Sequence, residues 1–479
     1  MSTEARSERA PVRLSPRTIV LYAIGSLGTG GYATLPGLVL TYFLTDNLGV
    51  AALAAGLIVT AAKIWDVLID PLIGAASDRQ LARTGSRRGF MVTGALALPF
   101  FFALTFAVPP SWGPVAGAIS VLLAFLATAT AFSLFQVPYV ALPAELTGSY
   151  DERTRLLGWR VVVLTAAILL FGAGGPALRN AGDDPVQGYL LMGIASGIAI
   201  GIGMLIASRT ADMAAKRTAA APVNTAPVNT APVNTADAAA TAASTWRHQY
   251  MSGFRALGRS QPFRALLGTF VLQALATGTM LAGAQYVATW VLRSEDAVTF
   301  VFVALVGPAL LATPGWTVIA RRVGKERALA MATVLFTAAA ASLVFAVWAS
   351  GAWIYVSVAV AGVAYAGLQS LPMAMLPDVI SHDERTSGAG QAGTFTGIWT
   401  AGETVGFALG ATAVSLTLAA TGYISTVAGA TVEQPDAAVT GIVLSFSALP
   451  AVLMAGSLLT LRHYRLRRAD IDTLEPFHA

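Results

Sequence analysis

The chain has no cysteine, which excludes disulfide bonds, thiol nucleophiles and thiolate metal sites. It has little charge: 11% of its 479 residues are Asp, Glu, Lys or Arg, against about 25% in a soluble domain. Lysine occurs only at Lys63, Lys216 and Lys325. The four histidines (His248, His382, His463 and His478) fall outside the long apolar runs, and neither H-E-x-x-H nor G-x-S-x-G occurs. Those absences remove metalloprotease and serine-hydrolase chemistry. An aspartyl mechanism on Asp66 and Asp70 is disfavoured too, because they lie about one turn apart on one helix with a lysine beside them. The chain reads as a non-enzyme with no cofactor.

What it has instead is apolar length. Hydrophobic residues make up 55% of the chain and mean hydropathy is +0.66. A bilayer core needs about 20 apolar residues per helix. Twelve runs qualify: 18–43, 50–77, 89–108, 114–142, 158–177, 187–208, 263–291, 298–320, 327–349, 352–376, 392–418 and 439–461. The first is of full span length and is expected to be retained rather than cleaved.

The net charge of +5 is a topology signal rather than a nucleic-acid footprint. Arg79, Arg83, Arg87 and Arg88 share one connection, and Arg321, Arg322, Lys325 and Arg327 share another. Arg6, Arg9, Arg13 and Arg17 precede the first span, and Arg462, Arg465, Arg467 and Arg468 follow the last. The alternate connections hold little besides Arg179 and Arg293. Both termini are therefore expected in the cytoplasm, with the chain multi-pass in a plasma membrane. The scarcity of lysine beside abundant arginine and alanine suggests a bacterial inner membrane.

Six runs precede residue 210 and six follow 262, giving units 1–208 and 263–479 around a polar linker, 209–262. The linker carries APVNTAPVNTAPVNT at 221–235, too polar to bury a core and expected to be disordered. Each half places Gly among basic residues after its second span, in SDRQLARTGSRRG (77–89) and ARRVGKERA (320–328). Two parallel six-helix repeats argue for alternating access around a central cavity. Gly193, Gly197 and Gly201, and again Gly402, Gly406 and Gly410, recur every four residues and are read as helix-packing ridges.

An ionised side chain at membrane depth costs several kcal/mol, so it faces water or a partner. Lys63, Asp66 and Asp70 are spaced three and four apart and share a helix face. One lysine neutralises one aspartate and leaves an excess negative charge for a cation. Two carboxylates this close also disfavour ionising together, so the pair shares protons.

The pattern W-D-x-x-x-D-P-x-x-G at 65–74, followed by S-D-R and a Gly-Ser-Arg-Arg loop, resembles the glycoside–pentoside–hexuronide:cation symporter family of the major facilitator superfamily. FQVPYVALPAELTGSYDERTRLLGWR (135–160) and LPDVISHDERTSGAGQAGTFTGIWTAGETVG (376–406) resemble further segments of that family. The resemblance implies an all-α integral membrane protein of the major facilitator fold, with twelve transmembrane helices in two six-helix bundles. It also implies cation coupling at Asp66 and Asp70 with Lys63, where Ser133 is placed as well, and a cavity arginine at Arg160. A cytoplasmic gate would form from Asp78, Arg87 and Arg88 with Glu145, Asp378 and Arg385.

Three departures from the family bear on function. Sodium-using sugar symporters carry an asparagine before the second aspartate, where this chain has Ile69, and the loss of that oxygen favours a proton over sodium. The acidic residues that grip sugar hydroxyls are replaced by Gly30 or Gly31 in the first span and by Gln136 in the fourth. A lysine common in span 11 aligns with Glu403. Further candidates for the cavity are Trp65, Tyr139, Gln273, Gln285, Tyr365, Gln369 and Trp399. The expected function is a monomeric, cation-coupled symporter of a small organic solute such as a glycoside. The alternatives are a carrier of a lysolipid or other amphiphile and a non-transporting sensor.

Overall fold

In hydrocarbon, backbone amides find no water, so each long apolar run must satisfy its own hydrogen bonds as a helix. The computed structural model describes residues 13–147, 149–182, 184–220, 258, 260–387, 392–430 and 432–466. Its main helices are α1 (Pro16–Ile24), α2 (Ser26–Tyr42), α3 (Ala52–Thr84), α4 (Arg88–Phe106), α5 (Pro114–Leu146), α6 (Tyr150–Asn180) and α7 (Pro185–Ala220). The second half contributes α8 (Gln261–Tyr286), α9 (Ala297–Val323), α10 (Lys325–Ser342), α11 (Trp353–Ser387), α12 (Ala392–Ala420), α13 (Asp436–Phe446) and α14 (Ala448–Leu461).

Eleven of the described helical stretches are long and apolar enough to cross a membrane. The twelfth span is the first run, which Gly25 divides into α1 and α2 and which ends in a π-helical turn at Phe43–Asn47. Its start follows from local chemistry. Pro16 occupies the first turn, where its missing N–H is not needed, and the Ser15 hydroxyl accepts from the Thr18 amide. The last span is likewise broken, between α13 and α14 at Ser447.

The helices pack in two groups. In the first half α4 lies against α5 and α7, and α2 against α6; in the second, α8 lies against α12 and α14, and α11 against α9 and α10. The two groups meet mainly where α3 packs on α12, α6 on α9, and α2 on α8. Both glycine ridges are close-packing seams. A Cβ on Gly197 would come within 3.1 Å of the Pro99 carbonyl oxygen of α4, and one on Gly406 within 3.0 Å of the Val271 oxygen of α8. Leu53, Leu57, Ile64, Leu68 and Leu72 form an exposed stripe on α3, opposite its charged face, as a helix meeting lipid requires.

α7 continues to Ala220, past the boundary at 208 expected from hydropathy. The APVNT repeat, Arg6, Arg9, Arg467 and Arg468 lie outside the described residues. The turns at Gly85–Arg87 and Gly324 mark one end of the bundle, called here the basic end. The connections 48–51, 181–184, 292–296 and 421–435 mark the opposite end.

Candidate functional site

The 3.6-residue period sets Lys63, Asp66 and Asp70 on one face of α3, and the fold turns that face inward. Lys63 Nζ lies 3.4 Å from Asp66 Oδ2. Tyr32 of α2 donates its hydroxyl to the same oxygen at 3.3 Å, and its ring sits under the Lys63 ammonium, 4.1 Å from Nζ to the centroid. Ser133 of α5, 2% exposed, stands against the Asp70 carboxylate. Oδ1 of Asp66 and Oδ1 of Asp70 are buried and without a hydrogen-bond partner. The four expected coupling residues are thus brought together. Tyr32 is the member that sequence reasoning missed, because nothing in span 1 marks one tyrosine among several.

The candidates for the cavity divide. Arg160 of α6 has a buried Nε without a partner, and its guanidinium lies 5.4 Å from the Tyr139 ring. Tyr139 itself is fully buried, stacked between Tyr22 and Phe135 and donating to the Tyr22 carbonyl at 2.9 Å, so it braces Arg160 from the packed core. Gln136 accepts from Thr29 at 2.9 Å, joining α5 to α2 within one bundle. Gln369 donates to the Tyr365 hydroxyl at 2.6 Å on α11.

Four further candidates stand against protein groups in this conformation, and Gln273, Gln285 and Trp399 each keep one buried polar atom without a partner among the described residues. Trp65 is one residue, about 100° of helix, away from Asp66. That rotation puts it beside Leu68 and Leu72 on the exposed face of α3, where its indole donates to Thr130. Gln273 is 2% exposed and donates to Thr333, which ties α8 to α10. Gln285 is fully buried and bonds Thr289 one turn on. Trp399 is 1% exposed and stacks on Phe270 at 4.1 Å, consistent with its place on the α8-facing side of α12.

Glu403 is half-buried and has neither a hydrogen bond nor an ion pair among the described residues. Its depth follows from the antiparallel seam of α3 and α12. Thr60 donates to the Ala408 carbonyl at 2.9 Å and meets Thr412 at 2.5 Å. Five residues further along each helix, about 7.5 Å at 1.5 Å per residue, lie Trp65 and Glu403. Glu403 therefore sits at the level of Lys63 and Asp66, on the other bundle.

The charged loops at the basic end pair within bundles. Arg87 bridges Asp78 and Glu145 at 2.6 Å each and donates to Ser77 at 2.9 Å. Burial alone would lower the affinity of Arg87 for its proton, but the hydrogen bonds it donates to Glu145 and Asp78 and the charges of those carboxylates outweigh it and raise the guanidinium above its ordinary value. Arg88 pairs with Asp212 at 2.6 Å, not with the expected gate partners. Asp378 pairs with Lys325 at 2.6 Å inside the second bundle, and Arg385 is exposed. Among the described residues, the ion pairs made by Asp78, Arg87, Arg88, Glu145 and Asp378 each stay within one bundle.

At the opposite end the polar contacts run between bundles. Tyr423 donates to Asp46 at 2.5 Å, Thr45 meets the Tyr286 hydroxyl at 2.7 Å, and Arg179 reaches Glu295 at 3.3 Å. Asn180 donates to Asp296 at 2.5 Å, and an isolated bridge joins Leu48 to Val427. No group of three or more metal-ligating side chains that could hold an ion occurs among the described residues.

The chain is similar to several known transporters and to symporters named without a known substrate. The chain is 25% identical to an uncharacterized symporter of Synechocystis sp., covering 94% of each chain. It is 23% identical to a putative sulfoquinovose importer of Escherichia coli, over 90% of this chain and 86% of that one. A shorter match, 29% identical over 36% of this chain and 38% of the other, is to an Escherichia coli glucuronide carrier protein homolog. In fold it is similar to a D-xylose–proton symporter, with TM-score 0.64 and 14% identity over 94% and 97% of the two chains. A partially occluded, inward-open xylose transporter of E. coli matches with TM-score 0.58 and 13% identity over 95% and 98%. A family profile described as MFS/sugar transport protein matches residues 21–468. The charged face of α3 and the paired six-helix bundles are thus those of a multi-pass membrane transporter, not an enzyme, and the chain belongs to the MFS/sugar transport protein family.

Proposed function

We propose that the chain is a proton-coupled symporter of a sugar-type solute, working by alternating access across a bacterial inner membrane. The observation that carries the reading is the α3 cluster, with two carboxylates, each holding a buried oxygen without a partner, around a single lysine. An empty carboxylate oxygen in such a site is a place for a proton, and protonation removes a charge that would otherwise be carried through the membrane interior. Sodium needs several oxygens at once. Here Lys63 occupies the Asp66 side of the cluster, and the residue before Asp70 is the buried, apolar Ile69.

The excess of arginine at the basic end supports a cytoplasmic assignment for that end and for both termini. With the opposite end tied between bundles, the conformation reads as closed at that end. The relatives are named for a glucuronide and sulfoquinovose, which supports a carbohydrate over an amphiphile. Arg160, with its partnerless Nε, and the Gln369–Tyr365 pair are the groups proposed to bind it.

The test is solute-induced alkalinisation of a weakly buffered suspension of cells expressing the protein, screened over neutral and anionic sugars. A proton symporter gives a pH rise with its solute in sodium-free medium. A solute that is taken up only when sodium is present, with no pH change, would contradict the coupling ion.

A further inference from the structure

The coupling site does not use the polar groups at the opposite end, yet they are bonded to one another across the two bundles. Asp46 sits in the π-helical turn that ends the first span. Its Oδ2 accepts from Thr45 at 2.5 Å and its Oδ1 from Tyr423 of the other bundle at 2.5 Å. Each donor is itself held from the second bundle. Trp290 donates its indole N–H to the Tyr423 hydroxyl at 2.9 Å, and the Tyr286 hydroxyl meets Thr45 at 2.7 Å. The Tyr423 ring packs edge-on against Tyr286, centroids 5.5 Å apart. Around this core the backbone pairs as well, Thr426 N–H to Thr45 O at 2.9 Å and Ala428 N–H to Asn47 O at 3.1 Å.

We propose that Asp46 is the keystone of an extracellular gate: its hydrogen bond from Tyr423 holds the two bundles closed on the outside, and the outward-open state forms only when that bond is given up. The inference rests on the alternating-access reading but on neither the coupling ion nor the solute.

Three observations carry it. The carboxylate has no cation bonded to it, so its two hydroxyl donors are what compensate its burial, and one of them belongs to the other bundle. The Tyr423–Asp46 bond is short at 2.5 Å, and a single bond between bundles is enough to bias a two-state equilibrium. The seam also carries a built-in cost. Asn47 is 2% exposed with neither amide atom bonded, beside a cavity of about 570 Å³ that Asp46, Arg179 and Glu295 also line. An unpaired buried amide opposes closure, so the gate is poised rather than locked.

The absence of native cysteine makes the test direct. Thr41 is 2% exposed, its hydroxyl has no partner, and it lies one turn below Thr45 on α2. Thr41→Cys, nearly isosteric, reports opening when a membrane-impermeant maleimide is added outside intact cells. In that background Tyr423→Phe, which keeps the packed ring, and Asp46→Ala are each expected to raise the labelling rate by about tenfold, the loss of one charged hydrogen bond. Unchanged labelling in Tyr423→Phe, with the protein inserted at normal level, would overturn the proposal even if Asp46→Ala failed to fold. No solute or ion gradient enters the readout, so a wrong assignment of either leaves this result standing.

Discussion

The two ends of the molecule spend similar residues in opposite ways. At the basic end, arginine, lysine and carboxylates pair inside a bundle: Arg87 with Asp78 and Glu145, Lys325 with Asp378. At the other end the pairs cross from one bundle to the other: Asp46 with Tyr423, Arg179 with Glu295, Asn180 with Asp296. The first arrangement stabilises each bundle as a rigid body. The second stabilises one orientation of the two bodies. A substitution at the basic end should therefore change stability, and one at the opposite end should change the balance of conformations.

The largest expected effect is at Arg87. Arg87→Ala leaves Glu145 and Ser77 without their buried partner and should cost about 3 kcal/mol, reduced from the top of the range because Asp78 is largely exposed. Thermal unfolding of the purified protein should fall, while outside labelling of Thr41→Cys stays unchanged. Equal labelling increases from Arg87→Ala and Tyr423→Phe would erase the distinction between the ends.

Next is Glu295→Gln. It strips the negative partner from Arg179, whose side chain is 3% exposed. The Glu295 side is more than half exposed, so the loss should be about 1 kcal/mol and should appear mainly as faster outside labelling. Lys325→Met comes third, costing up to about 1 kcal/mol in melting with no change in accessibility, since its partner Asp378 is in the same bundle. Smallest is Arg88→Ala. Both it and Asp212 are well exposed, and neither measurement should move beyond error.

The same contrast explains what was legible in the sequence. Lys63, Asp66 and Asp70 could be placed together because helical period alone decides whether residues three and four apart share a face. The spans could be read because the bilayer sets their length. The outer gate could not. Asp46 and Tyr423 are 377 residues apart, and each looks like an ordinary loop-end polar residue until the bundles are docked. Trp65 shows the same limit on a finer scale: its type makes it a cavity candidate, while its position one residue from Asp66 turns it toward the exposed face of α3. Gln273 and Trp399 are held by contacts within the second bundle, a bond to Thr333 and a stack on Phe270, that single-sequence reading does not show, and each keeps one buried polar atom without a partner among the described residues. The break at Gly25 that gives the first span two helices also left no clear mark in its hydropathy.

The central claim is that Asp66 and Asp70 carry the coupling proton. The direct measurement is solute-induced alkalinisation beside solute exchange, in the parent chain and in Asp66→Asn and Asp70→Asn. The account predicts that either substitution abolishes the pH signal and uphill accumulation while the protein remains in the membrane. Undiminished proton-coupled uptake in both variants would contradict it.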